Sequence, residues 1–145
     1  MSGLSPLDRP NSYIGRSVPR PNLARLLQGR GQYVSDMVLP RMVHVTFVRS
    51  PYAHARIRRI DRDEARKMPG VVAIVTGPEL AQICTPFVGV LTHLKGLKSA
   101  PQHAIAMDVA TWQGEAVAAI LATTRAQAED AAEHVVVDWE ELEPV

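Results

Sequence analysis

At 145 residues, 46% apolar and 21% charged, the chain suffices for one folded domain; a domain of this size buries roughly 68–70% of its unfolded surface. Such a composition excludes disorder throughout the chain, no apolar run approaches the ~20 residues that span a bilayer, and a single cysteine, Cys84, excludes internal disulfides. The net charge is +1, but residues 1–70 carry 13 Lys and Arg against 5 Asp and Glu, a net +8, while residues 71–145 carry 3 against 10, a net −7. A basic half can mark a nucleic-acid partner. Here Asp61, Asp63 and Glu64 interrupt the run from Arg56 to Lys67, and no aromatic residues are interleaved with it. No nucleic-acid partner is expected. Two oppositely charged halves that fold together, or face partner proteins, account for the asymmetry. The first eight residues show no basic segment before an apolar stretch, so no secretory signal is expected. The lone cysteine points to a reducing cytoplasm.

Residues 1–22 read as an extended arm, because Pro6, Pro10, Pro19 and Pro21 prevent regular helix. Residues 23–145 then read as the folded domain. Leu23 to Gln28 suits a short helical turn, stopped at Gly29. From Met42 to Val48 the residues alternate, with Val43, Val45 and Phe47 on one face and His44 and Thr46 on the other, which predicts a half-buried strand. Ser50-Pro51 ends it. A second strand is expected over Arg56–Ile60. Asp61 with Glu64 has the spacing of a reciprocal helix cap, so a short helix over Arg62–Met68 follows and stops at Pro69-Gly70. Val71 to Thr76 is a continuous apolar run, hence a buried strand, broken at Gly77-Pro78. One helical turn fits Pro78–Ile83. Thr85–His103 shows no periodicity; loops this long are usually functional, partner-bound or mobile. Ala116–Ala122 is the next strong strand. Thr124 with Gln127 is a capping pattern, opening a helix over Arg125–His134 that places Ala128, Ala131, Ala132 and Val135 on one face. Val135–Trp139 is the last strand. Strands and short helices in this order, without a regular βαβ repeat, indicate an α+β fold with a mixed sheet.

Few groups have the spacing of a chemical site. Gly29-Arg30-Gly31 is not followed by the third glycine of a dinucleotide loop and has no strand before it, so it reads as a turn where glycine permits positive φ. The histidines, 44, 54, 93, 103 and 134, lack metal-ligand spacing. His54 reads as structural or as an interface residue more readily than as catalytic. Cys84, with His93 and His103 in the flexible stretch nearby, is a conceivable nucleophile, but the better reading is a lone buried thiol. Asp138, Glu140, Glu141 and Glu143 read as a solvated or interface-facing run.

The stretch Val48-Arg49-Ser50-Pro51-Tyr52-Ala53-His54-Ala55-Arg56-Ile57 resembles the signature of the molybdenum hydroxylase large subunit, the group of xanthine dehydrogenases, aldehyde oxidases and aerobic carbon monoxide dehydrogenases. Other pieces follow in the family's order. Tyr13-Ile14-Gly15-Arg16 and Gly29-Arg30-Gly31-Gln32-Tyr33-Val34-Ser35-Asp36 come before it; Pro69-Gly70-Val71-Val72, Trp112-Gln113-Gly114-Glu115 and Thr124-Arg125-Ala126-Gln127 come after. Ala116 stands where the family usually has proline. The resemblance covers nearly the whole chain and implies the family's first domain, an α/β hammerhead. It implies a scaffold whose signature residues are Gly29, Gly31, Asp36, Arg49, Ser50, Pro51, His54 and Gly114, with no catalytic, cofactor or metal residue on this chain. The molybdenum–pterin, iron–sulfur and FAD groups would then belong to the complete enzyme, on a molybdopterin-binding large-subunit polypeptide, an iron–sulfur subunit and an FAD subunit. The alternatives are a free-standing interaction module on the same fold and a small enzyme using Cys84 or a histidine.

Overall fold

The computed structural model describes residues 13, 15, 17–89 and 93–144. The arm up to residue 12 and the part of the long loop at 90–92 lie outside the described residues. What is described falls into two compact units, the first ending at Pro40 and the second beginning at Arg41.

In the first unit a single helical turn, α1 (Leu23–Leu27), is stopped by Gly29 at φ 67°. Glycine adopts this left-handed conformation without steric cost. The Arg25 side chain then donates to the Arg30 carbonyl at 2.9 Å and closes the turn. Farther on, the Asp36 carboxylate accepts from the Tyr33 amide at 3.0 Å, holding one tight turn over Val34–Asp36.

The second unit contains β1 (His44–Arg49), β2 (Ala55–Asp61), α2 (Asp63–Lys67), β3 (Val71–Thr76), α3 (Gly77–Leu80), β4 (Val109–Ala110), β5 (Ala116–Ala122), α4 (Arg125–Glu133) and β6 (Val136–Glu141). It is α+β, with short helices on two three-stranded sheets of order β1-β5-β3 and β4-β2-β6. All pairings between these strands are antiparallel. β5 is the centre of the first sheet. Its Val117, Ala118, Ile120 and Ala122 are fully buried, because α4 lies close over it through the small Ala128 and Ala131. Ile120 meets Ile74, Ala65, Ala131 and Val135 in the core, with Ile60 and Val137 packed against them. Ile60 and Val137 are cross-strand partners in the second sheet, so both sheets supply one core.

Three expectations change here. Alternation in β1 is as predicted, but Val43, Val45 and Phe47 are 40%, 48% and 42% exposed, and the side carrying Thr46 and Val48 faces the core. The reason is register: Thr46 stands opposite Ile120, which α4 covers, while Val45 and Phe47 stand opposite Leu121 and Ala119 on the other face. β3 is likewise closed on one face only; Ile74 is buried while Val72, at the bulge, is 59% exposed. Asp61 is not the cap of α2. It ends β2, and its carboxylate accepts from the Asp63 amide at 3.2 Å while Glu64 pairs with Lys67. The cap at Thr124 does form, with its hydroxyl accepting from the Gln127 amide at 3.3 Å.

Charge joins the two halves of the sequence. Arg56 and Arg58 converge on Glu140 from the neighbouring strand. Arg62 grips Glu79 with two bonds of 2.6 Å and also donates to the Ile74 carbonyl. Glu79 in turn accepts from the amide and hydroxyl of Thr76, the residue before α3. One carboxylate therefore caps α3 and ties the exit of β2 to the end of β3. The close approach needs Gly77, since a Cβ there would lie 2.0 Å from the Ala106 carbonyl oxygen.

The Arg62 guanidinium, aided by Thr76, lowers the Glu79 carboxyl from its ordinary 4.5 to about 2. The folded state thus favours the charged form. Its contribution is complete above pH 4.5 and is lost as pH falls towards 2. With the side chain 40% exposed, solvent screening holds that contribution to about 1 kcal/mol. Glu79→Gln is expected to lower stability by about that amount at neutral pH and to flatten the acid side of the stability profile, read by denaturant unfolding across pH 2 to 7. Ile120→Ala is expected to cost about 2–5 kcal/mol by the same measurement, since the cavity is walled by helix and sheet.

Candidate functional site

The segment linking β1 to β2 also links the two sheets, and its backbone is fully employed. As β1 ends at a bulge after Val48, the Ser50 amide donates to the Glu115 carbonyl and the Ser50 carbonyl accepts from the Gly114 amide, both at 2.8 Å. The Arg49 guanidinium reaches the same turn and donates to the Gly114 carbonyl at 2.8 Å. Gly114 sits at φ 92°, where a side chain would be strained. Ser50 is 3% exposed. Its hydroxyl accepts from the Tyr52 amide at 3.1 Å and donates to the Tyr52 carbonyl at 2.9 Å. Pro51, with its fixed φ and no N–H, begins the turn that these bonds close. Tyr52 packs edge-on against Trp139 of β6, with ring centroids 5.8 Å apart.

His54 completes the clasp from the other side. Its carbonyl accepts from the Leu142 amide at 3.0 Å, and its Nδ1 lies 2.6 Å from the Glu143 carbonyl oxygen. A carbonyl only accepts, so Nδ1 carries the proton. The segment after β6 is thereby held against the turn before β2. Opposite, the mostly buried Glu115 turns its carboxylate onto the amide and hydroxyl of Thr111. Trp112, 46% exposed, stands between two hollows. One, of about 310 Å³, is lined by His54, Gln113 and Pro144 among others; the second, of about 620 Å³, by His103, Met107 and Val109 among others.

The structure thus brings together Arg49, Ser50, Pro51, His54 and Gly114. Gly29, Gly31 and Asp36 lie in the first unit: Gly29 at φ 67° and the Asp36 carboxylate shape its turns, while Gly31 has no positive φ and instead leaves room for the Leu26 side chain, 2.8 Å from where a Cβ would stand. Thr111, Trp112 and Glu115 complete the clasp. Trp112 and Glu115 stood in the motif piece around Gly114 without being given a role, and Thr111 was not singled out, because the register that sets β1 against this turn has no local code. Cys84 is a correction: it is exposed, not buried. It follows α3, with its amide donating to the Leu80 carbonyl at 2.9 Å, where the chain turns away from the core. Cys84 and His103 line a common hollow of about 10 Å³, too small to seat a ligand.

Neither Ser50 nor His54 is arranged for nucleophilic chemistry. The serine hydroxyl is taken up by Tyr52, and the histidine Nδ1 by Glu143. Among the described residues, no three His, Cys, Asp or Glu side chains converge to hold a metal ion.

Comparison with known proteins agrees with this architecture. Residues 28–143 match the family profile for the aldehyde oxidase and xanthine dehydrogenase a/b hammerhead domain. The chain belongs to this family. It is 39% identical over 147 residues to the nicotine 6-hydroxylase large subunit of Paenarthrobacter nicotinovorans, covering 96% of this chain and 18% of that protein. It is also 39% identical over 118 residues to the carbon monoxide dehydrogenase large chain of Afipia carboxidovorans, covering 81% of this chain and 14% of that one. Among solved structures, quinoline 2-oxidoreductase from Pseudomonas putida 86 superposes with a TM-score of 0.80 at 42% identity, over 90% of this chain and 16% of the other. The hammerhead chain spans less than a fifth of the length of these relatives.

The clasp makes a direct forecast. Ser50→Ala leaves the Tyr52 amide and carbonyl without their shared hydroxyl in a buried turn. A loss of about 1–2 kcal/mol is expected, and faster amide exchange at Tyr52 in hydrogen-exchange measurements should accompany it.

Proposed function

We propose that this chain is the hammerhead portion of a molybdenum hydroxylase large subunit and acts as a scaffold, not as a bearer of catalytic residues. The observation that supports this most strongly is the family match over residues 28–143, in a chain that spans 14–18% of the large subunits it resembles. The geometry agrees, since the most distinctive residues, Ser50 and His54, spend their polar atoms on backbone groups of this chain. The molybdenum–pterin group would supply the oxygen-transfer chemistry from a remaining large-subunit polypeptide. Iron–sulfur and FAD groups on further subunits would accept the electrons. Encoded as a separate piece or as one stretch of a longer chain, the polypeptide has the same scaffold role. In this reading the arm of residues 1–22 and the Thr85–His103 loop lie against partner polypeptides, in the cytoplasm.

Affinity capture of the tagged chain from its source cells tests the proposal. The expected result is recovery of a polypeptide, identified by mass spectrometry, that carries molybdenum and pterin, with neither present on the chain purified alone. Metal analysis and pterin fluorescence provide the readout. Molybdenum on the isolated chain in stoichiometric amount, or capture without any molybdenum-binding polypeptide, would refute the scaffold reading.

A further inference from the structure

α4 covers one face of the β1-β5-β3 sheet; the other is open along its β1 edge, with Ala73, Val75 and Leu121 half-buried and Ala119 at its centre buried. Two cross-strand rows make up that open face: Val45, Leu121 and Ala73, then Phe47, Ala119 and Val75. Both rows are wholly apolar. Val45 and Phe47 are 48% and 42% exposed, and Val43 beside them is 40% exposed. An antiparallel sheet with one solvated face normally turns its polar residues outward. β1 does the reverse, placing Thr46 inward and Val45 and Phe47 outward. At the border the Arg49 guanidinium lies 5.4 Å over the Phe47 ring and is itself fixed by the Gly114 carbonyl. The aromatic ring is therefore held in place with its charge contact at the rim, the arrangement of an interface anchor.

We infer that this open face is the surface on which the remaining large-subunit polypeptide docks. The inference rests on the scaffold reading and adds to it the surface and the chemistry. More than four fifths of each matched large subunit lies outside the part this chain covers, so a protein surface is available to close a face that water would otherwise wet. The contacting surface is apolar opposite the two rows, because a charge placed there would be desolvated without a partner. It carries an acceptor group at the rim, where, among the described residues, one Arg49 N–H is engaged by the Gly114 carbonyl and the rest of the fork faces none.

The test uses the chain co-expressed with the remaining large-subunit polypeptide of the same source. Val45→Asp and Phe47→Asp are each expected to reduce co-elution of the two polypeptides at least tenfold. Val136→Asp, on the exposed outer side of β6, should leave it unchanged. Matching circular dichroism separates loss of docking from loss of fold. A photoreactive benzoylphenylalanine at position 47 is expected to cross-link to the large-subunit polypeptide, and at position 136 not to; this readout needs no disruptive charge. Co-elution of wild type and both aspartate variants alike would overturn the choice of face and leave the scaffold reading standing. Failure of the wild-type chain itself to co-elute would overturn both. Cross-linking at position 47 to a second copy of this chain would assign the face to self-association and overturn the inference.

Discussion

Much of the second unit depends on how one residue spends its backbone. Ser50 leaves β1 with its amide and its carbonyl both committed to the turn that launches β5. The next commitment, four residues on, is to the segment that follows β6. Between them the chain crosses from one sheet to the other. A buried polar backbone must be paired, and here the pairing partners come from two distant parts of the sequence. The short stretch therefore sets where both sheets begin, how they are spaced, and which side of each faces the shared core. The hydroxyl of Ser50 and the ring of His54 make the same crossing more rigid by closing the turn on either side.

The charges follow the same division of labour. A basic first half and an acidic second half suggest attraction, and the pairs formed between them among the described residues are Arg56 and Arg58 with Glu140, and Arg62 and, at 4.0 Å, Arg66 with Glu79. Exposed pairs of this kind contribute little each. Arg62 differs because its guanidinium also takes the Ile74 carbonyl and because Glu79 caps α3. One ion pair thereby orders three segments.

Periodicity made most elements legible. Ala116–Ala122 and Val71–Thr76 were recognisable because apolar runs of that length, bounded by glycine, proline or threonine, have few other uses. The cap at Thr124 was readable because it is local. What escaped was everything that requires a partner strand. Alternation in β1 showed two faces without saying which would be covered, since α4 lies some eighty positions further on. The two-residue β4 is too short for any pattern. At the clasp, Ser50, His54 and Glu115 stood in motif pieces, whereas Thr111 enters only through its bonds to the Glu115 carboxylate. Asp61 had the spacing of a cap and was instead drawn into β2 by its pairing with Val136.

The hydrogen bond between His54 and Glu143 has a practical corollary for handling the molecule. It fixes the direction in which the backbone travels after β6, past the indole of Trp112. An affinity peptide or fluorescent protein fused behind residue 143 would start from that hollow and crowd it. A spacer behind residue 143 long enough to clear the hollow relieves that crowding. Fusion architecture, and not only choice of tag, will decide whether assembly experiments on this fold report the native surface.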